Sequence, residues 1–496
     1  MTILGDANNS NNKTFPDTNI SPEHGINKDV KTNAMSMVSE QIRFRPQQLA
    51  FWETSGKTLT FGQIGQQIAH AQRVLQCKSF GPNTRAVIFA WPSAELFSWI
   101  AAVLGLGGTV IVMEPWMSGK QVTLALENLK PTHFIHDTFG GIWGTTFAAI
   151  RKIPTWLFIS HNLSSEPIVI ESVAPLDQAI ITFTTGSTGT QKGVVRTHNT
   201  LNTTRDILLE RTGSKHLTGP DLCVFSGFAM VNLATGRTTL LASPWKKKTI
   251  KAIDSLPSAL QPVSLTTGPT FLKRVMEESH ITTLRHIDVG GAPCDCSLLE
   301  DAINRWPQAQ VNWAYGGTEV EPIAITSANI AIQKSKERGF FQVLFLGKPV
   351  PEILCENVGE NFWVQGPHVS PLYIASPSEN AKYKRRDKNG NIWHCTGDRV
   401  FLDANKDLWY EGRTAQAHKQ FLMEQKIYTI VKHSMAFVFE NDQKELCVAG
   451  VKIKSFAEEI RKSFPQLKHF YNVSKIRYDR RHHARIDRVT TVKKEL

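Results

Sequence analysis

A β-branched stretch beginning at Ala179 runs into Thr184, Thr185, Gly186, Ser187, Thr188, Gly189 and Thr190, with Lys192 and Gly193 just beyond. Glycines let a backbone turn its N–H groups onto an anion, the hydroxyls add donors, and the lysine adds charge. That combination suits a polyphosphate. A Walker loop needs Gly before the lysine and Ser or Thr after it. Gln191 and Gly193 stand there instead, which disfavours a P-loop NTPase. Three further groups follow: Gly290-Gly291-Ala292-Pro293, Tyr315-Gly316-Gly317-Thr318-Glu319, and Thr396-Gly397-Asp398 with Gly412-Arg413 after it. Tyr315 offers a flat face for a purine, and Glu319 a hard oxygen for Mg2+. Read alone, a Gly-Gly pair is a strand-ending turn and an Asp between strands is a turn residue.

The elements that must position these groups show in the hydrophobic pattern. Short β-branched runs at 86–90, 109–113, 133–136, 155–159, 179–185, 286–289 and 310–314 alternate with helical periods at 61–76, 94–106, 121–129 and 255–260. That alternation predicts α/β layers. Beyond about 350, short strands at 361–364, 390–394 and 399–402 with intervening turns predict a small β subdomain. The expected fold is α/β, a large N-terminal domain of layered α/β subdomains plus the β subdomain, followed by a small mobile α+β domain. The expected boundaries are a disordered polar tail over 1–38, a nucleotide-binding domain over 39–412, and a basic lid over 413–496.

The loop around Lys192 resembles the signature loop of the adenylate-forming superfamily, which includes acyl-CoA synthetases, luciferases and peptide-synthetase adenylation domains. The superfamily pattern ends Pro-Lys-Gly, and Gln191 replaces the proline. The other three groups occur in the order and at the separations of that superfamily, and the likeness covers about residues 40–496. Its implications are specific. Thr184, Thr185, Gly186, Ser187, Thr188, Gly189 and Lys192 would hold the phosphates of ATP, with Thr318 at the α-phosphate and Glu319 on Mg2+. Gly291, Ala292, Pro293, Tyr315 and Gly316 would enclose the adenine, and Asp398 and Arg413 the ribose. The segment 221–236, Tyr315 to Ala324 and the ending Arg481 to Ile486 look like the fatty-acid-CoA-ligase-like branch that includes olefin β-lactone synthetases. Many CoA ligases carry an aromatic-His pair where Phe228-Ala229 stands. Phe225, Phe228, Met230 and Leu233 then form an apolar stretch suited to an acyl chain, and core packing explains them equally well.

The likeness implies ATP-dependent activation of a fatty or 3-hydroxy fatty acid as its acyl-adenylate. Transfer to CoA or a carrier-protein thiol would follow, or closure of a β-lactone. Its C-terminal signatures depart from the pattern. Arg485 stands at the usual catalytic lysine, Ala415 at the hinge residue, and Gln425 where thioester-forming relatives carry a glycine, while Lys419 is kept. Arginine keeps the charge but differs in bulk and planarity. These departures also motivate a second reading, a degenerate relative that binds nucleotide or acyl groups without turnover.

Charge and cysteine usage bound the rest. The chain of 496 residues has a formal net charge of +12. Residues 381–496 hold 25 Lys/Arg and 14 Asp/Glu, so nearly all of the excess lies there. That segment lacks finger spacing, an aromatic-basic sheet motif or a helix-turn-helix, which argues against a nucleic-acid partner. Seven scattered cysteines point to reduced thiols, and Cys294 and Cys296 have no second pair at zinc spacing. The most apolar stretch, 86–113, is broken by Pro92, Glu95 and glycines, so no transmembrane segment is expected. A cytoplasmic protein is the expectation.

Overall fold

The computed structural model describes residues 32–185, 191–242, 248–374, 376–478 and 486–496. Among these, two large sheets are parallel at their centres and antiparallel at one or both edges. The first runs Tyr373–Ile374, Gln191–Thr197, Gln178–Thr185, Thr109–Val112, Arg85–Phe89, His133–His136 and Thr155–Phe158 in spatial order. The second runs Val320–Ser327, Gln310–Gly317, His286–Gly290, Ser264–Thr267, Asp221–Cys223, Thr239–Leu241, Leu49–Glu53 and Thr58–Thr60. In the first sheet the central strand Arg85–Phe89 carries the unbroken apolar run Ala86-Val87-Ile88-Phe89, because both of its faces are covered.

Helix Ala94–Gly105 packs in a core shared by residues of both sheets, including Phe51, Ala86 and Val110. Its apolar sequence needs that burial, and Ser93 starts it by accepting from the Leu96 N–H. Helix Phe61–Gln76 opens on a reciprocal capping box between Thr60 and Gln63. The helix expected over 255–260 is displaced. The α-helix is Lys248–Asp254, and only a 3-10 turn forms at Ser258–Leu260. Pro257 accounts for the break, since it lacks an N–H and disfavours helical geometry in the residue before it.

The small strands form a three-stranded sheet (Phe345–Gly347, Leu408–Arg413, Asp398–Leu402) and a four-stranded one (Leu354–Val358, Asn361–Gln365, Ile392–Cys395, Lys384–Arg386). Helix His418–Val431 then packs with strands Ala436–Glu440, Leu446–Gly450 and His469–Asn472 around Ile427, Val438, Val448 and Ile453. Among the described residues, no helix is long and apolar enough to cross a membrane.

Candidate active site

The carboxyl ends of strands from both large sheets, the small β sheets and the C-terminal segment border one cleft of about 1670 Å³. In-register pairing of Gly290 with Ala314 sets the 290–293 turn beside Tyr315. A side chain at Gly290 would press within 2.6 Å of the Ala314 carbonyl, and Gly291 has φ +81°, so both glycines are required there. Gly291, Ala292, Pro293, Tyr315, Gly316, Thr318 and Glu319 all border the cleft, as do Lys192, Asp398 and Arg413.

At one end lies a fixed hydrogen-bonded trio. Antiparallel pairing sets Asp398 opposite Arg413, and the Arg413 guanidinium donates to Asp398 Oδ1 at 2.8 Å. The Tyr315 hydroxyl donates to Asp398 Oδ2, also at 2.8 Å. Burial and the Asp398 charge push the Tyr315 phenol well up, which keeps it a donor. The Asp398 charge raises Arg413 further.

The other end is built around Lys192 and Glu319. Lys192 lies on strand Gln191–Thr197, paired antiparallel with Gln178–Thr185, and Thr197 caps helix His198–Thr212. The seven-residue strand Gln191–Thr197 leads directly into that helix. Glu319 is half-buried, and its Oε1 accepts from the Tyr373 hydroxyl at 2.8 Å. Burial acts to raise the Glu319 carboxyl, but His394, Lys384 and that hydroxyl outweigh it and hold it below the usual range. His394 is itself pushed down to about 3 by burial and Lys384, so near neutrality the cation facing Glu319 is Lys384. The Lys384 ammonium donates to the Ser370 carbonyl at 2.6 Å, and burial brings it down to about 7. An ionised carboxylate in the same cleft as a buried lysine is a donor set compatible with Mg2+, which takes one or two carboxylates together with phosphate oxygens.

Tyr373, Lys384 and His394 were not singled out from sequence. Lys384 begins the basic run 384–386, and alternation along the strand turns its neighbour the other way. Arg385 lies over the rings of Trp363 and Trp393 instead.

Gly186, Ser187, Thr188 and Gly189 lie outside the described residues. So do the side chains of Thr184 and Thr185, whose backbones pair with Lys192 and Gln191. Arg485 is outside as well. Nearby, Arg488 borders the cleft and donates twice to Glu424, at 3.0 and 2.8 Å. Gln425 is buried at the cleft wall and donates to Gln342 Oε1 at 2.9 Å. Ala415 and Lys419 are exposed. Phe225, Phe228 and Met230 line the cleft together with Leu96 and Ile100. Leu233 does not. It is fully buried in the core, because it lies on the inner face of helix Ser226–Thr235.

A family model described as AMP-binding enzyme matches residues 38–373. An olefin beta-lactone synthetase of Stenotrophomonas maltophilia is 23% identical over 455 residues, covering 77% of this chain and 79% of that one. Tyrocidine synthase 3 of Brevibacillus parabrevis is 24% identical over 77% of this chain, a stretch that spans only 6% of that much longer protein. Among solved structures, Mycobacterium tuberculosis fatty acyl CoA synthetase superposes with a TM-score of 0.70 at 14% identity, covering 93% of this chain and 98% of that one. The likeness of fold therefore extends through the C-terminal segment.

Proposed function

Given that the chain belongs to the AMP-binding enzyme family, we propose that it activates a fatty or 3-hydroxy fatty acid with ATP and Mg2+, forming an acyl-adenylate and pyrophosphate. One observation carries this reading. A single cleft joins the polar groups Lys192, Glu319, Tyr315, Asp398 and Arg413 to an apolar wall of Phe228, Met230, Leu96 and Ile100. Asp398 and Arg413 would hold the ribose, Tyr315 the adenine and Lys192 the phosphates. Glu319 would hold Mg2+, which supplies charge neutralisation for the phosphate oxygens. The acid's carboxylate oxygen attacks the α-phosphorus, and the bond from that phosphorus to the β-phosphate oxygen breaks. The residues contribute positioning and electrostatic stabilisation rather than covalent chemistry.

The acyl carbon then loses AMP to a nucleophile. Gln425, buried and bonded to Gln342, fills the position where the sequence resemblance expects a glycine in thioester-forming enzymes. That favours the substrate's own 3-hydroxyl over CoA or a carrier thiol. Its oxygen bonds to the acyl carbon, its proton passes to solvent, and the bond from the acyl carbon to the phosphate oxygen breaks, so AMP departs as a β-lactone closes. We assign residues 413–496, which carry much of the positive charge, as the lid of this site. Mass spectrometry of reactions containing ATP, Mg2+ and a panel of fatty and 3-hydroxy fatty acids, with and without CoA, tests the scheme. Acyl-adenylate and lactone formed without CoA support it. Nucleotide binding with no adenylate from any acid would favour the degenerate binder instead.

A further inference from the structure

Lys192 is buried at 6% exposure and held on three sides by one segment. Its ammonium pairs with the Glu379 carboxylate, and it lies 3.7 Å from the ring centroid of Tyr383 and 5.2 Å from that of Tyr373. These partners reach it because Tyr373 and Ile374 pair with Val194 and Gly193, one strand position beyond Lys192. Helix Pro377–Tyr383 is fastened to that strand through Asn380, which accepts from the Tyr373 N–H at 2.7 Å and donates to its carbonyl at 2.6 Å. Among the described residues, Glu379 Oε2 has no aligned hydrogen bond, and its contact is the Lys192 charge. Lys192, Tyr373 and Tyr383 border the cleft, whereas Glu379 does not.

A buried ammonium is costly unless an anion neutralises it. A polyphosphate drawn to Lys192 brings a second anion to a charge already satisfied, and two anions around one ammonium repel. We propose that Glu379 is an affinity-setting residue of the phosphate subsite, an internal counter-ion that competes with the nucleotide's phosphates for Lys192. The proposal rests on the reading of Lys192 as a phosphate ligand and adds a residue outside every signature motif. It makes affinity for the β- and γ-phosphates weaker than the bare lysine would give, and leaves the nucleoside end untouched.

Isothermal titration of the full chain with ATP–Mg2+, pyrophosphate and AMP tests it. Glu379→Gln should bind ATP and pyrophosphate about tenfold more tightly, equivalent to ~1.4 kcal/mol, with KM for ATP falling in step. AMP, which lacks the contested phosphates, should keep its affinity within about twofold, a shift of less than ~0.5 kcal/mol. Glu379→Ala should act in the same direction and serves if the Gln variant misfolds. Unchanged or weaker ATP binding in folded variants would overturn the proposal, as would an equal change for AMP. A wild-type chain that binds no ATP would instead overturn the reading of the site itself.

Discussion

The Tyr315 hydroxyl donates to Asp398 Oδ2 at 2.8 Å, joining a strand of the eight-stranded sheet to a strand of the small three-stranded one. Asp398 also accepts from Arg413, so one carboxylate orients an aromatic face and a guanidinium together. Replacing it with Asn keeps the shape and removes the charge. Charge-assisted hydrogen bonds contribute roughly 1.5–3 kcal/mol, so Asp398→Asn should weaken ATP binding at least about tenfold. Calorimetric titration of the folded variant checks this.

Lys384 gives a pH signature. Its folded pKa of about 7 lies below the ordinary lysine value of about 10.4, so between them the unfolded chain binds more protons. The cost of burying it is greatest at and below pH 7 and vanishes above about pH 10.4. Wild-type stability should therefore rise from pH 7 to pH 10 relative to Lys384→Met. Thermal midpoints of both proteins at the two pH values measure it, and the gap should move in favour of wild type at pH 10.

Glu424 is buried on helix His418–Val431 and accepts from Arg488, from Gln416 and from the Val438 N–H. Arg488→Met would strand that carboxylate. The cost should be about 2 kcal/mol, below the ~3–5 of a fully buried pair because the arginine is about one-third exposed. Hydrogen exchange should quicken first in strand Ala436–Glu440, whose Val438 amide is held by Glu424.

The proposed preference for the 3-hydroxyl over a thiol acceptor can be tested at Gln425. Gln425→Gly removes the contact with Gln342 and opens the wall at that point. With 3-hydroxy acids the variant should gain thioester product when CoA is supplied, at least about tenfold over wild type, a change of ~1.4 kcal/mol in the barrier. Product ratios by mass spectrometry report it.

The motif residues were legible because each stands beside glycine at the end of an apolar strand or the start of one, as Tyr315 does before Gly316-Gly317 and Asp398 after Gly397. The layered fold was legible for the same reason, since continuous runs such as 86–90 have few other solutions. What surrounds Lys192 was not. Helix Pro377–Tyr383 is polar and short, with no apolar period to mark it, and Glu379 gains its meaning only when Tyr373 pairs with Val194. For Leu233 the core reading held open in the sequence is the one the fold takes, because an apolar residue near a site looks the same in sequence whether it faces the cleft or the core. Pattern reports what is buried. It does not report which buried charge meets which.

The central claim is that this cleft joins ATP to a hydrophobic carboxylic acid. ATP–pyrophosphate exchange across fatty and 3-hydroxy fatty acids of increasing length tests it most directly, because it reads the first half-reaction without regard to the acceptor. Exchange dependent on the acid and on Mg2+, and abolished in Lys192→Ala, is the expected result. No exchange with any acid, from folded protein under conditions where ATP binds, would contradict the account.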